Sequence, residues 1–462
     1  MKKLLLLFTM VLVTSMGLLA QGSTWQTATL ISSGQTKTGA MGTNNSEDWY
    51  KINVTQEGTV DFTAIVTSGN LTLSNSSSVK GVSTSGDLYD RYYLKGKESF
   101  RDDTITLNAI NVGKGTYYIK IDRYGGSGGY KLYYKFTPCP QTADPEPNND
   151  YEHSSLIESG STVQGRLGHR TSDDITDSED WYKIVVPEEG HVELMATSTA
   201  TATENMLLST NASYVAGYKN GGTYSRGNIS APGYSNDTIT YLATDMGKGT
   251  YYIRIARYNG CGGYKLYYEF TPCSLAADPE PNNDYQHSSR LVNGKITEGR
   301  LGHRTSDDVT DNEDWYRINV PKEGPIEITV TATENLILST YSSQVYSVNA
   351  DGSLKSLGSI SASGYGNAKI TYSKDDMAAG YYYIRICRYS GCGGYRINYN
   401  GPAIPGDVDN DGIVDVSDIV VLIDNVLGGS TLPIDATVAD MNQDGVIDIV
   451  DVVALIDLVL NG

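Results

Sequence analysis

Apolar residues alternate with polar ones at period two through most of the chain. Between residues 182 and 270 they fall at Tyr182, Ile184, Val186; Val192, Leu194, Ala196; Ile239, Tyr241; Tyr251, Ile253, Ile255; and Tyr264, Leu266, Tyr268, Phe270. Successive side chains of an extended chain point to opposite faces, so each run predicts a half-buried antiparallel strand. Glu188-Glu189-Gly190, Gly247-Lys248-Gly249 and Asn259-Gly260 interrupt the runs where turns are needed. Ser/Thr/Asn/Gly-rich stretches such as 209–235 predict surface loops or irregular edge strands. Near the C-terminus the period changes. Ile419, Leu422, Ile423, Val426 and Leu427 recur at helical spacing, and Val452, Leu455, Ile456, Val459 and Leu460 repeat that face 33 positions later.

The strand pattern is itself repeated. Asp48-Trp49-Tyr50, Asp180-Trp181-Tyr182 and Asp314-Trp315-Tyr316 start three copies, and Tyr117-Tyr118-Ile119, Tyr251-Tyr252-Ile253 and Tyr382-Tyr383-Ile384 keep the register. So do Gly128-Gly129-Tyr130, Gly262-Gly263-Tyr264 and Gly393-Gly394-Tyr395. This period is too long for a solenoid unit that needs its neighbours to fold, so each copy is expected to have its own core. The expected fold is mainly β: three tandem sandwiches at 22–140, 143–273 and 277–400, a Pro/Gly linker at 401–406, and a small all-α module at 407–462. The repeats resemble the bacterial pre-peptidase C-terminal domain, which implies a jelly-roll-like sandwich. The resemblance rests on the leader Asp144-Pro145-Glu146-Pro147-Asn148-Asn149-Asp150 (again 278–284), the Asp-Trp-Tyr strand, the Gly-Thr-Tyr-Tyr-Ile strand and the closing Gly-Gly-Tyr-Lys-Leu. Repeat one lacks the Pro-Glu-Pro leader and opens with Gly22-Ser23-Thr24-Trp25.

Charge and cysteine content narrow the setting. A net charge of −19 disfavours nucleic acid and anionic membranes as partners. Lys2 and Lys3, the apolar run Leu4 to Val13 and small residues up to Ala20 have the order of a secretory signal peptide at 1–20, and no later stretch is apolar for long enough to span a membrane. The mature protein is expected outside the cell, with attachment to the cell surface through its C-terminal module. Five cysteines leave at least one thiol without an intramolecular disulfide. Cys387 and Cys392 are the candidate disulfide, since the intervening residues read as one hairpin tip. The pairing of Cys139, Cys261 and Cys273 stays open.

Residues 403–462 contain twelve Asp and no Lys, Arg or Glu. Such a segment repels itself unless cations neutralise it. Asp407, Asp409, Asp411, Asp415 and Asp418 stand at positions 1, 3, 5, 9 and 12 of a twelve-residue calcium loop, with Gly412 at the sharp turn and the Ile413 carbonyl at position 7. Asp440, Asn442, Asp444, Val446, Asp448 and Asp451 repeat the set around Gly445. Hard oxygen donors at alternate positions of a tight loop converge on calcium, so two ions are expected, with folding coupled to their binding. Pro402 and Pro405 leave no helix entering the first loop, and position 12 is Asp in both. A calcium loop followed by an exit helix, twice over, resembles a type I dockerin. That resemblance implies docking onto a cohesin-like domain of a scaffold or surface protein through loop positions 10 and 11, here Val416 and Ser417, then Ile449 and Val450.

A second oxygen-rich constellation joins Glu146, Asn148 and Asn149 to Asp180, with a twin at Glu280, Asn282, Asn283 and Asp314, and Asp173, Asp174, Asp177 and Glu179 lie close in sequence to the first. The set suits one further calcium in each of repeats two and three. The alternative is that Asn and Asp cap turns. His169-Arg170 and His303-Arg304 recur within Gly-Arg-Leu-Gly-His-Arg-Thr-Ser-Asp-Asp, where loop hydrogen bonding is the simpler reading. Motifs for a serine nucleophile elbow, a zinc-protease helix, a phosphate loop or a dinucleotide site are missing. The functional reading is a secreted non-catalytic binding protein: the sandwiches present a surface to a glycan or extracellular protein, and the tail attaches the whole to a scaffold. The alternatives are a peptidase or polysaccharide-active hydrolase of unrecognised type, and an inert spacer or adhesin.

Overall fold

The computed structural model describes residues 22–140, 144–199, 205–409, 412–429 and 434–461. The expected leader at 1–20 and the ligand position Asp411 lie outside the described residues.

Each repeat folds into two facing sheets, one of four strands and one of seven, with the same order in all three. In the second repeat the four-stranded sheet runs Ser161–Leu167, Gly262–Pro272, Gly190–Thr199, Thr238–Met246. The opposing sheet centres on Gly249–Asn259, paired antiparallel with Glu179–Val186 so that Tyr182 faces Ile253 and Ile184 faces Tyr251. These four residues pack against Leu194, Ala196 and Leu266 from the other sheet, as the alternation requires. The stretch 209–235 is not purely loop: Tyr214–Lys219 and Gly222–Asn228 form a hairpin whose first strand adds to the edge of Gly249–Asn259. Equivalent cores fill the first and third repeats, so each sandwich buries its own apolar cluster.

Inward-facing positions of the Asp-Trp-Tyr strand include an aspartate. Asp48, Asp180 and Asp314 are fully buried, in register with Tyr50, Tyr182 and Tyr316 two residues on. Period two therefore delivers one carboxylate per sandwich to the interior, where it needs partners.

The expected Cys387–Cys392 disulfide is not formed. Cys387 lies on the strand Gly380–Ser390, and its Sγ turns to the Ser342 carbonyl at 3.6 Å. Cys392 lies in the turn after it, with Sγ aimed at the Thr244 carbonyl of the preceding sandwich at 3.1 Å. The segment between them is a crossover and not a hairpin tip: Gly380–Ser390 belongs to the seven-stranded sheet and Gly393–Asn400 to the four-stranded one, so the two strands do not pair and the thiols turn to different neighbours.

The tail is a small helical unit with helices α1 (Val416–Val426), α2 (Ala436–Ala439) and α3 (Ile449–Asn461). Val408, Leu422, Ala439, Val452 and Leu455 form its core. Leu427 and Leu460, expected on the buried face, are exposed, because α1 stops at Val426 and Leu460 lies in the last turn of α3. The linker is pinned to the third sandwich, with the Gly401 amide donating to Asn293 Oδ1 at 2.7 Å. Among the described residues no helix is long and apolar enough to cross a membrane.

Candidate metal centres

The leader of repeat two folds back on its own sandwich and adds carboxylates to the one already buried. Oxygens of Asp144, Glu146 and Asp180 come within 4.8 Å of one another, and so do those of Asp278, Glu280 and Asp314 in repeat three. Tyrosines hold the buried members. Tyr264 Oη donates to Asp180 Oδ2 at 2.6 Å, Tyr182 Oη donates to Asp144 Oδ2 at 3.2 Å, and the two phenols lie 2.6 Å apart. Asn148 Nδ2 donates to Asp144 Oδ2 at 2.5 Å, which leaves its Oδ1 buried without a hydrogen-bond partner. Asp180 Oδ1, Asn282 Oδ1 and Asp314 Oδ1 are in the same position. Buried oxygens with unused lone pairs beside several carboxylates form a hard-donor set that a divalent cation would complete.

Electrostatics point the same way. Burial, reinforced by Glu146 and Asp144, pushes the Asp177 carboxyl up to about 8, and burial with Glu280 and Asp278 does the same to Asp311. Asp180 and Asp314 are raised well above the usual carboxylate range by burial and by neighbouring carboxylates. Glu146 is raised for the same reasons. Without a cation the cluster keeps protons near neutrality; with one it can ionise. Asp144 and its twin Asp278 join the group expected from the sequence, and among the acidic residues of the 173–179 loop and its twin it is Asp177 and Asp311 that border it. The spacing Asp144 to Asn148 within a repeated leader is the signal for the first. The Asn149 amide, at the exposed edge of the cluster, donates to Asp177 Oδ1 and to the Glu179 carbonyl at 3.0 Å each. Asp173 and Asp174 take other work: Asp173 accepts from Thr171 Oγ1 and Asp174 pairs with Arg91 of the preceding sandwich.

Each cluster opens on a cavity between consecutive sandwiches. One of 440 Å³ is lined by Glu57 and Lys114 from the first sandwich and by Glu146, Arg166, His169 and Asp177 from the second. Its counterpart, of 280 Å³, has Glu189 facing Glu280, Arg300, His303 and Asp311. His169 is 3% exposed, and burial lowers its pKa to about 4, so it is neutral; His303 is lowered by burial too.

In the tail, the position-12 aspartates organise both loops. Asp418 accepts from the backbone amides of Val408 at 2.7 Å, Asp409 at 3.0 Å and Asp415 at 2.9 Å. Asp451 accepts from Met441 at 2.8 Å, Asn442 at 3.2 Å and Asp448 at 2.9 Å. Position 1 grips the turn: Asp407 Oδ2 takes the Gly412 amide at 2.7 Å, and Asp440 Oδ2 takes that of Gly445 at 2.8 Å. Both glycines have positive φ, 80° and 87°, which is the reason glycine stands there. Asp407, Asp409 and Asp418 gather oxygens within 4.8 Å. Asp444 and Val446 close the second turn, where the Val446 amide donates to Asp444 Oδ1 at 2.9 Å. Asp415 and Asp448 cap α1 and α3, accepting from the Ser417 and Val450 amides at 2.7 Å each. Ile413 sits beside the first turn, half exposed at its side chain. Val416, Val420, Ile449, Val450 and Val453 are exposed, whereas Val421 packs on the core.

The dockerin type I domain family matches residues 405–460. None of the curated proteins matches the chain. Among solved structures the chain is similar to the pre-peptidase C-terminal domain of a collagenase from Bacillus anthracis, at 20% identity over 27% of this chain and 100% of that one, with a TM-score of 0.18. It is also similar to a triple jelly roll protein of an archaeal virus turret, at 9% identity over 76% of this chain and 80% of that one, with a TM-score of 0.14. Two glycine-turned aspartate loops, each closed by a buried position-12 carboxylate and followed by a helix, agree with the family match: residues 405–460 are a dockerin type I domain, a calcium-binding module whose partner is a cohesin.

Proposed function

We propose that this is a secreted, non-catalytic binding protein which the dockerin fastens, in the presence of calcium, to a cohesin on a scaffold or cell-surface protein. The observation that carries the reading is the duplicated half-module. Exposed Val416, Ser417 and Val420 on one half correspond to Ile449, Val450 and Val453 on the other, an apolar surface that the small core leaves unburied. Two calcium ions in the dockerin and one cation in each of repeats two and three fit the oxygen sets described above. The sandwiches supply the ligand-binding surface. Phe100 and Tyr124, Tyr234 and Tyr258, and Tyr365 and Tyr389 are exposed at equivalent places in the three repeats, as platforms for a glycan or an extracellular protein.

The test uses the full chain, immobilised and challenged with surface proteins of the parent cell in calcium and in chelator. Recovery of a cohesin-bearing protein in calcium alone supports docking; equal recovery under chelation overturns it. Titration calorimetry should count four calcium ions, falling to three with Asp180→Ala and to two with Asp314→Ala added. A hydrolytic reading would draw on Asp177, a carboxyl that keeps its proton near neutrality. Turnover of a peptide or polysaccharide that Asp177→Asn abolishes would favour it.

A further inference from the structure

The Gly-Arg-Leu-Gly-His-Arg-Thr-Ser-Asp-Asp segment stands where repeat one has a much shorter connection. Residues 169–178 and 303–312 link Gly168 to Glu179 and Gly302 to Glu313, while only residues 43–46 link Gly42 to Glu47. In both later repeats this loop reaches back and inserts into the sandwich before it. Arg170 bridges Val112 in parallel, and Arg304 bridges Met246 in the same way.

The receiving surface meets three consecutive carbonyls. The Arg170 carbonyl accepts from the Gly113 amide at 2.9 Å and from Tyr117 Oη at 3.0 Å, and that of Thr171 accepts from Arg91 Nη1 at 2.7 Å. The Ser172 carbonyl accepts from the Val82 amide at 3.0 Å and from Tyr89 Oη at 2.8 Å. At the next junction Arg304 accepts from the Gly247 amide at 2.9 Å, Tyr251 Oη at 2.9 Å and Arg226 Nη1 at 3.1 Å, and Ser306 accepts from the Tyr218 amide at 2.7 Å. The arginine side chains are only 1% exposed at each junction. Glycine is needed for the approach: a Cβ on Gly113 would lie 2.8 Å from the Arg170 carbonyl carbon, and one on Gly247 2.8 Å from that of Arg304.

The strand registers give the third sandwich's counterparts. Gly81 and Gly217 correspond to Ser347, Tyr89 and Tyr224 to Lys355, Arg91 and Arg226 to Leu357, and Gly113 and Gly247 to Ala378. The glycine, tyrosine and arginine of the receiving hairpin and the glycine ahead of the central strand are all replaced there, while the central-strand tyrosine is kept as Tyr382, whose Oη donates to the Ala378 carbonyl at 2.9 Å. Repeat one has the receiver without the arm, repeat two has both, and repeat three has the arm without the receiver. The cysteine position follows the same rule. Cys261 and Cys392 aim Sγ at carbonyls of the preceding sandwich, Ile110 at 3.3 Å and Thr244 at 3.1 Å, whereas repeat one carries Ser127 there.

We propose that loops 169–178 and 303–312 are docking arms that lock the three sandwiches head to tail into one strut of fixed register, with both ends blind to further docking of this kind. The partner each receiver fits is a sandwich of the same chain bearing the arm. The strut holds the first sandwich at a set distance and rotation from the dockerin, whose Gly412 carbonyl accepts from Asn319 Nδ2 of the third sandwich at 3.3 Å.

The experiment gives the first two sandwiches the third one's own residues, in the full chain and with calcium present throughout: Arg91→Leu with Gly113→Ala, and Arg226→Leu with Gly247→Ala. Leu357 and Ala378 already serve a sandwich at those places, so the substitutions suit the fold. Amide exchange at Gly113, Arg170, Gly247 and Arg304 should accelerate about tenfold or more while core amides keep their protection, since each arm loses hydrogen bonds that no solvent replaces in place. Small-angle scattering should pass from one sharp set of distances to a broad one. Unchanged exchange and scattering would overturn the proposal. If the double variants also lose core protection, Gly113→Ala alone is decisive: faster exchange at Arg170 with an intact core sustains the arm, and wild-type exchange refutes it.

Discussion

The first sandwich and the second bury the same aspartate and treat it in opposite ways. Asp48 accepts from Tyr130 Oη at 2.8 Å and from Asn45 Nδ2 at 3.0 Å, so both of its oxygens are engaged by the protein. Asp180 keeps the tyrosine, but the carboxyl of Asp177 stands where repeat one has the amide of Asn45; the leader brings Asp144 and Glu146 beside it as well, and its Oδ1 stays unpartnered. A buried carboxylate can thus be closed by one amide or left open for a cation, and the exchange of that amide for Asp177 together with a seven-residue leader makes the difference.

The contrast breaks most visibly under chelation. Removing calcium should unfold residues 405–460, read as loss of the circular dichroism of α1 and α3, and abolish cohesin capture, while the first sandwich keeps its thermal transition. Helices that persist in chelator would contradict the coupling of folding to the ion. Next in size is the aspartate pair. Calcium at about 100 times its dissociation constant stabilises an ion-binding sandwich by about 2.7 kcal/mol, so Asp180→Ala should make the second transition calcium-independent. Asp48→Ala should cost about 1–3 kcal/mol through the stranded Tyr130 and Asn45 donors, equally with and without calcium; a calcium-dependent cost there would erase the distinction.

A smaller effect follows from pH. In chelator, Asp177 and Asp311 titrate near 8, above the ordinary carboxyl range. Their protonated forms favour the folded state, a contribution complete below about pH 4 and lost as pH rises through about 8. Melting of the second and third sandwiches should therefore shift down across that range in chelator and stay level in calcium. The first sandwich, which has no leader, should show no such calcium-sensitive slope. The smallest effect is expected from Cys392→Ser, which installs the residue repeat one uses at Ser127. Stability should change by less than about 1 kcal/mol, as for loss of a weak thiol donor. Thiol titration of the unreduced, unfolded chain should detect both Cys387 and Cys392; a missing pair would restore the disulfide.

Much of this was legible in the residues. Alternation at Tyr182, Ile184 and Val186 gave the strands, and the same period placed Asp180 inward, a polar residue at a core position that already marks a site. Loop spacing named the aspartates that gather at the two dockerin turns, because twelve consecutive residues and a glycine define their own geometry. The Cys387–Cys392 pairing failed because the chain crosses there from one sheet to the other, and a turn between two alternating runs reads the same in sequence whether or not the strands pair. Asp177 was one of several acidic residues in its loop, and only the fold separates it from Asp173, which holds Thr171 of the same loop, and Asp174, which serves the junction.

Local chemistry, then, was decided by the sequence: period, turn residues and short-range oxygen spacing act over a few residues and need no partner from afar. Tertiary structure alone decided what the His169-Arg170 loop is for. Its carbonyls carry no side-chain signature, and the glycines that receive them, Gly113 and Gly247, become necessary only when a second sandwich lies 2.8 Å from the Cβ they lack.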